Sequence, residues 1–343
     1  MGGNSLANVL LLADIYETGQ ANDKVPLGLQ EWESQQSVVY LQQCLTDLGH
    51  HVTLLQPFHD KQALLQRLLE YLPHKQETIL FNLVEGFASP NRRAWVPALG
   101  EFLGFPFTGS NAALQIFTLD KYKTSRLASE LGIPVPSAYL IQERYSSLTI
   151  PDTAYPLFAK PNGEGSGMGV DSASIIPDLS SLRKKVSQTP KEYFPLIIEG
   201  LLSGAEFTVG VLGNPGTYLL TKVARVSYPG SVYGEEVKSK TEMPERLFFD
   251  LEPMQQQLIQ HYALRLANHL QLTGYARFDF KNDAEGRAHF LEANLTPGFS
   301  HYYSSFPICY EASFSGGYEN MLADILRFAQ DNYRQNHFAY GVF

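Results

Sequence analysis

Residues 290–300 read FLEANLTPGFS, and this stretch decides how the rest of the chain is interpreted. Phe290, Glu292 and Asn294 alternate with their apolar neighbours, and a period of two predicts a β-strand. The strand should end at the Pro-Gly turn of residues 296–298. On such a strand Glu292 and Asn294 face the same way, and two adjacent oxygen ligands suit a hard cation. The same pattern is typical of an edge strand with polar side chains in water, so this fragment alone leaves both interpretations open.

A second polar strand precedes this one along the chain. Residues 275–281 carry Arg277 and Asp279, and the polar turn 282–286 leads on to the strand described above. If the two strands pair as a hairpin, Asp279 lies beside the carboxylate and the amide of its partner. Mg²⁺ prefers a site in which a few protein oxygens bind it and its remaining coordination positions stay open for water and substrate phosphates. Arg277, on the same face as Asp279, would then point at the reacting centre and neutralise developing charge.

The stretch FAKPNGEGSGMGV, residues 158–170, follows a predicted strand that ends in Lys160. It contains glycine at every second position: Gly163, Gly165, Gly167 and Gly169. Such a backbone can fold closely and aim N–H groups at an anion, and Lys160 adds a positive charge. The spacing matches neither the P-loop nor the dinucleotide-binding pattern. A flexible surface hairpin explains the glycines equally well.

A third stretch, LIIEGLLSGAEFTVGVL at residues 196–212, joins two apolar strands through a short linker. Glu199 ends the first strand and Glu206 begins the second. A linker between two lobes is suited to hold an adenine by backbone hydrogen bonds, although a purely structural interdomain strand would have the same sequence.

Composition limits the class of protein. The chain has 343 residues, 44% of them hydrophobic and 18% charged, as is typical of a globular enzyme with two or three lobes. The net charge of −9 argues against a general nucleic-acid binder. Cys44 and Cys309 lie too far apart to indicate a disulfide framework or a zinc site. No membrane span or signal peptide is predicted, which favours a cytoplasmic protein.

Alternating strands and helices predict an α/β fold whose first lobe has a doubly wound parallel sheet, followed by two α+β lobes. The predicted lobes are 1–117, 118–200 and 201–343. The predicted strands are 8–13, 52–55, 79–84, 133–141, 206–213, 218–226, 275–281 and 288–295. The predicted helices are 34–48, 61–72, 120–131, 254–271 and 317–335.

In their order along the chain, these motifs resemble those of the ATP-grasp superfamily, and specifically of its D-alanine–D-alanine ligase-like branch. The resemblance runs from about residue 79 to 300. Its motifs are FNLVEG (81–86), PFTGS (106–110), LDK (119–121), KPNGEGSGMGV (160–170), IEGLLSGAEFTV (198–209), GYARFDF (274–280) and LEANLTPG (291–298).

The resemblance implies a role for each matching residue. Lys121 and Lys160 would hold the phosphates of ATP, and the loop 163–169 would close over them. The nucleotide-binding residues of this loop would be Glu164, Gly165, Ser166 and Gly167, with Ser166 also among the catalytic residues. Glu199 and the backbone up to Leu202 would bind the adenine, and Glu206 the ribose. Asp279, Glu292 and Asn294 would bind two Mg²⁺ ions, for which Mn²⁺ could substitute. Arg277, Gly298 and Lys238 would complete the catalytic group.

The implied reaction has two steps. ATP phosphorylates a carboxylate-type oxygen, and an amine then displaces phosphate while ADP is released. Phosphorylation is needed because an oxyanion is a poor leaving group. The partners are therefore a small-molecule acceptor and an amino acid, without nucleic acid or membrane, and the family's habit implies a homodimer.

Several positions depart from the family pattern. The first-lobe loop, residues 14–37, is roughly ten residues longer than in the family and lacks the family's Gly-Gly-x-Ser-x-Glu turn. Glu31 or Glu33 lies near the position of the family's glutamate. Gly167 replaces a loop serine, and Ser239 replaces a tyrosine that follows the loop lysine. The second-substrate segment after Gly298 also differs.

A longer loop and an altered ammonium clamp favour a bulkier first substrate. The resemblance then points to the ligases of mycosporine-like amino acids, which join serine or threonine to mycosporine-glycine, and Lys24 would lie near the acceptor. The alternatives are D-alanine–D-alanine ligase itself, another amino-acid or dipeptide ligase, and a nucleotide-binding protein without catalysis.

Overall fold

The computed structural model describes residues 6–16, 32–86, 89–144, 150–151, 154–165, 167–228 and 245–340. Within these ranges, three larger sheets and one two-stranded sheet follow one another along the chain. The mixture of a parallel sheet with antiparallel sheets confirms the predicted α/β class. No helix in the described ranges is both long and apolar enough to cross a membrane.

The first lobe contains a parallel sheet in the order β4-β1-β5 and a short β2-β3 pair. Its strands are β1 (Asn8–Ala13), β2 (Ile15–Tyr16), β3 (Glu33–Ser34), β4 (His51–Leu55) and β5 (Thr78–Leu83), and its helices are α1 (Gln35–Asp47), α2 (Lys61–Tyr71) and α3 (Trp95–Leu103). β1 is a continuous apolar run because helices cover both faces of a parallel sheet. The side chains of Ser34 and Asp60 accept backbone N–H bonds at the starts of α1 and α2.

The central lobe is built on an antiparallel sheet in the order β6-β9-β7-β8. Its elements, with the helices that precede them, are α4 (Ala112–Leu119), α5 (Lys121–Glu130), β6 (Ala138–Ile141), β7 (Leu157–Pro161), β8 (Ile175–Ile176), α6 (Leu179–Gln188) and β9 (Leu196–Gly200). The strand predicted over 133–141 is shorter, because Pro134 and Pro136 cannot donate ladder hydrogen bonds. Helices α4 and α6 were not predicted.

The third lobe contains a six-stranded sheet in the order β13-β12-β10-β14-β15, with β11 paired to β10. Its elements are β10 (Glu206–Gly213), β11 (Leu219–Leu220), β12 (Ala224–Ser227), β13 (Arg246–Phe248), α7 (Pro253–Leu270), β14 (Gly274–Asn282), β15 (Ala288–Asn294), α8 (Ser305–Glu311) and α9 (Gly317–Tyr340). The single strand predicted over 218–226 is interrupted. The backbone N–H of Lys222 does not bond to a neighbouring strand but donates to the Ser313 hydroxyl at 2.7 Å.

One hydrophobic core joins the first and third lobes, and each of these lobes also has a core of its own. The shared core includes Leu11 and Phe81 of the parallel sheet together with Tyr275, Phe299 and Ile325 from the other end of the chain. The central lobe has a separate core around Leu157 and Ile198. The lobe boundaries near residues 117 and 200 remain predictions.

Candidate active site

The hairpin inferred from FLEANLTPGFS is present. β14 pairs with β15 so that Asp279 faces Glu292 and Arg277 faces Asn294. A β-bulge interrupts the register, because Asp279 faces Glu292 while Phe280 faces Phe290, which leaves Leu291 as the extra residue.

The bulge changes which side chains share a face. Phe290 is fully buried in the core, whereas both Leu291 and Glu292 line a pocket on the other side. The strict alternation predicted from Phe290 onward is therefore wrong, because one inserted residue reverses the direction of the side chains that follow.

Asp279 is held by side chains from two strands. Its Oδ1 accepts hydrogen bonds from Thr208 Oγ1 at 2.7 Å and from Arg277 Nε at 3.0 Å, and its Oδ2 accepts from Arg277 Nη2 at 2.8 Å. Burial alone would lower the pKa of Arg277, but the adjacent Asp279 raises it above the ordinary value. The guanidinium therefore remains a permanent positive charge at the pocket wall.

Two lysines from different elements place positive charge in the same pocket. Lys121 begins α5 and lies 3.3 Å from Glu292 Oε2, and Lys160 in β7 lies 2.8 Å from Glu199 Oε2. Burial lowers the pKa of Lys121, with Glu292 offsetting part of the effect and Lys160 adding to it. Burial also acts on Lys160, but Glu199 and Glu292 raise its pKa overall. Closely spaced buried cations of this kind are suited to bind a polyanion such as a triphosphate.

The glycine-rich stretch turns tightly beside these lysines. Gly167 and Gly169 have φ angles of 71° and 72°, which disfavour other residues. A Cβ atom at Gly169 would also approach Pro161 Cγ to 2.7 Å. Glu164, Gly165 and Gly167 line the pocket, and the predicted loop residue Ser166 lies outside the described residues.

Glu199, which is predicted to bind the adenine, lines the same pocket. It is only 3% exposed, and its Oε1 has no hydrogen-bond partner among the described residues. Phe158, Met168, Leu202 and Leu291 provide apolar walls. A buried acceptor without a donor, between apolar walls, fits the exocyclic amine and flat faces of an adenine.

Glu206, which is predicted to bind the ribose, lies beside Lys281 and Tyr228. Its Oε2 is 3.3 Å from Lys281 Nζ and accepts a hydrogen bond from the Tyr228 hydroxyl at 3.2 Å. Burial raises the pKa of Glu206, although Lys281 partly offsets this. Lys281 was not predicted as a site residue, although it lies two residues after Asp279 on the same strand and so on the same face.

Most of the predicted site residues therefore meet around one pocket. Those that line it are Lys121, Lys160, Glu164, Gly165, Gly167, Glu199, Leu202, Glu206, Arg277, Asp279 and Glu292. Asn294 and Gly298 lie next to it along the chain rather than in its wall. Lys238, Ser239 and Lys24 lie outside the described residues.

The donor set fits magnesium. In the parts of the chain that are described, no three His, Cys, Asp or Glu side chains group into a metal site. Asp279, Glu292 and Asn294 instead offer two carboxylates and one amide from paired positions of a hairpin. A small number of oxygen ligands from the protein suits Mg²⁺, which keeps water and substrate oxygens in its remaining coordination positions. An ion held there would neutralise phosphate charge.

The first lobe contributes residues that the sequence analysis missed. Arg93 Nε donates to Glu85 Oε2 at 2.5 Å, and Arg93 Nη1 donates to Asn294 Oδ1 at 3.4 Å. Arg92 reaches Gly163 and Glu164. The only available signal was the Arg-Arg pair that closely follows the FNLVEG motif.

Glu33, one of the two glutamates considered for the family position, lies beside the Pro-Gly turn. Its Oε1 accepts a hydrogen bond from the backbone N–H of Phe299 at 2.9 Å, and an ideal Cβ on Gly298 would lie 3.5 Å from the same oxygen. Glu31 lies outside the described residues.

Comparisons with known proteins agree with this geometry. The family model described as D-ala D-ala ligase C-terminus matches residues 127–327. A D-alanine–D-alanine ligase of Bordetella petrii is 30% identical over 58% of this chain and 61% of its own length. The chain thus spans less than two thirds of that relative. A D-alanine–D-alanine ligase of Aquifex aeolicus is 29% identical over 75% of this chain and 82% of its own length.

Solved structures show the same fold. D-alanine–D-alanine ligase of Bacillus anthracis, complexed with ATP, superposes with a TM-score of 0.70 at 16% identity and covers 96% of this chain and 100% of its own. A second structure of that enzyme gives a TM-score of 0.71, also at 16% identity, over 96% of this chain and 99% of its own. Since the family model covers more than half of the residues, the chain belongs to the D-alanine–D-alanine ligase family of ATP-grasp, ADP-forming carbon–nitrogen ligases.

Proposed function

We propose that this chain is an ATP-dependent ligase that joins the amine of one amino acid to the carboxylate of another and releases ADP and phosphate. The observation that carries the proposal is the pocket in which Lys121, Lys160 and Arg277 surround the Asp279–Glu292 pair. Positive charge for phosphates and oxygen ligands for Mg²⁺ lie within one cavity, as phosphoryl transfer requires.

The chain's own residues supply binding and orientation in this proposal. Lys121 and Lys160 hold the phosphates, Glu199 accepts a hydrogen bond from the adenine amine, and Glu206 binds the ribose. Arg277 and the backbone N–H of Gly298 stabilise the negative charge that develops when the amine attacks the activated carboxylate.

Glu33 favours an amino acid as the first substrate. Its carboxylate is buried beside the Gly298–Phe299 turn and accepts one backbone hydrogen bond there. A carboxylate has room for several more donors, and a substrate ammonium group supplies up to three. The names of the curated relatives make D-alanine the first substrate to test, for both positions.

The mycosporine-like amino acid hypothesis receives no support from the names of the relatives. It depended on the long first-lobe loop and on the altered clamp at Gly167 and Ser239, and residues 17–31 and 229–244, which include most of that loop and Ser239, lie outside the described ranges. It therefore remains a prediction, and its substrates belong in the same assay.

The test is a product analysis with purified protein, MgATP and a panel of acceptors and amines. D-alanine alone should yield ADP, phosphate and the mass of D-alanyl-D-alanine, and ADP release should require the amino acids. Lys160→Met should abolish product, while Lys123→Met, which replaces an exposed lysine paired with Asp120 at 2.9 Å, should not.

Two results would contradict the proposal. Formation of AMP and pyrophosphate would exclude activation by transfer of the γ-phosphoryl group. Turnover of mycosporine-glycine with serine or threonine, but not of any amino-acid pair, would replace the amino-acid assignment with the mycosporine one.

A further inference from the structure

Arg92 of the first lobe reaches across to the start of the glycine-rich stretch. Its Nη2 donates to the Gly163 carbonyl and to Glu164 Oε2, each at 3.0 Å, although these partners lie more than 70 residues further along the chain. The Arg92 side chain is only 9% exposed.

The backbone of Arg92 is itself held tightly against the end of β5. A Cβ atom on Gly86 would lie 2.5 Å from the Arg92 carbonyl oxygen and 2.9 Å from Arg92 Cβ, and Gly86 has a φ angle of 72°. The absence of a side chain at Gly86 therefore lets the Arg92 backbone approach closely. The guanidinium thus projects toward the central lobe from a closely packed base.

Glu164 presents an electrostatic problem for an ATP site. It lines the same pocket as Lys121 and Lys160, and an ionised carboxylate there would repel the phosphates. The ion pair with Arg92 compensates this charge. Lys121 Nζ donates to the Glu164 carbonyl as well, so the start of the glycine-rich stretch is held from both sides.

The neighbouring arginine makes a parallel contact with the third lobe. Arg93 Nε is paired with Glu85 just after β5, and Arg93 Nη1 lies 3.4 Å from Asn294 Oδ1. One short turn of the first lobe therefore contacts both the phosphate-binding stretch and the hairpin that carries the carboxylates.

We propose that Arg92 is a positioning residue for nucleotide binding: it neutralises Glu164 and fixes Gly163 and Glu164 where the phosphates bind. The affinity for ATP then depends on a first-lobe residue that does not itself line the pocket. The proposal rests on the proposed ATP-dependent function, and a binding experiment separates the two because it requires no knowledge of the amino-acid substrates.

The experiment compares a single and a double variant with the unaltered chain by calorimetry, with the non-hydrolysable analogue adenylyl imidodiphosphate and Mg²⁺. Arg92→Ala should weaken binding by about 10-fold to 100-fold, the range expected for a lost charge-assisted contact. The double variant Arg92→Ala/Glu164→Gln should recover to within about threefold of the unaltered chain, because the repelling charge is gone.

Adenosine binding distinguishes a role of Arg92 at the phosphates from a merely structural role, which would weaken the binding of adenosine and of the analogue alike. Adenosine lacks phosphates, so its affinity should be the same in the unaltered chain and in Arg92→Ala. Arg67→Ala, which removes an exposed arginine paired with Glu70 at 2.6 Å in the same lobe, is the matched control. Arg92→Gln also removes the charge but keeps a polar side chain, and it takes the place of Arg92→Ala if the alanine variant fails to fold.

The proposal is overturned if Arg92→Ala binds the analogue normally, if the double variant is as weak as Arg92→Ala, or if adenosine binding falls in parallel. If the unaltered chain binds neither nucleotide nor adenosine, the proposed ATP-dependent function fails, and with it the basis for the role of Arg92.

Discussion

Replacing Glu292 by glutamine separates the metal-binding role of this residue from a structural one. Glu292 is about a quarter exposed and lies 3.3 Å from Lys121, which also donates to the Glu164 carbonyl. A partly exposed ion pair contributes about 1 kcal/mol or less to stability. The melting temperature of Glu292→Gln should therefore fall by only about 2 °C in a chain of this size.

Activity should respond very differently. The amide keeps the shape of the side chain but removes the negative charge that faces Asp279 across the hairpin. If that charge holds Mg²⁺ against the phosphates, about 4 kcal/mol of transition-state stabilisation is lost, or roughly a thousandfold in kcat.

The assay follows ADP release at increasing Mg²⁺ concentrations, together with a thermal melt of each variant. Glu70→Gln, on an exposed helix face, is the control for loss of a glutamate charge. The reasoning is refuted if Glu292→Gln retains activity within tenfold at saturating Mg²⁺, or if its melting temperature collapses, which would indicate a structural role.

Three further substitutions give distinct outcomes. Burial raises the pKa of the fully buried Asp14 carboxyl to about 6, so ionisation of this carboxyl opposes folding. The free energy of unfolding of the unaltered chain should therefore fall by about 1.4 kcal/mol between pH 5 and pH 8. The Asp14→Asn variant should not show this fall. Urea unfolding at the two pH values measures this, and an identical pH dependence in both chains would contradict it. Lys281→Met should lower the preference for ATP over dATP by about tenfold, since Lys281 orients Glu206; an unchanged ratio of the two KM values would argue against this. Glu33→Gln should raise the KM of the first amino acid, whose carboxylate is activated, about tenfold or more while leaving that of ATP unchanged, and a parallel rise in both would exclude ammonium binding by Glu33.

Local patterns were sufficient to predict the hairpin and its pairing. A two-residue period, a polar turn and the spacing of Arg277 and Asp279 determine which side chains can be neighbours, and β14 pairs with β15 as expected. The same patterns could not show the bulge, because the extra residue, Leu291, is apolar and cannot be told from the other apolar residues of the strand by its type.

Long-range contacts were beyond this kind of reasoning. Arg93 meets Asn294 from a position 201 residues earlier, and no periodicity links two such positions. Helix α6 was missed for a different reason: its capping residue Asp178 is a start signal, but only Leu182, Lys185 and Val186 of its ten residues are buried, so the apolar stripe is short.

The core shared by the first and third lobes has a consequence for synthesis on the ribosome. Leu11, Val38 and Phe81 pack with Met321, Ile325 and Phe328 of α9, so the surface that these early residues bury is completed by residues translated much later. Roughly 240 residues separate Phe81 from this helix, and at about 5–20 residues per second the nascent first lobe waits roughly 10–50 s for it. During that interval its apolar face is exposed, so the early chain is a natural client for a chaperone that shields hydrophobic surface.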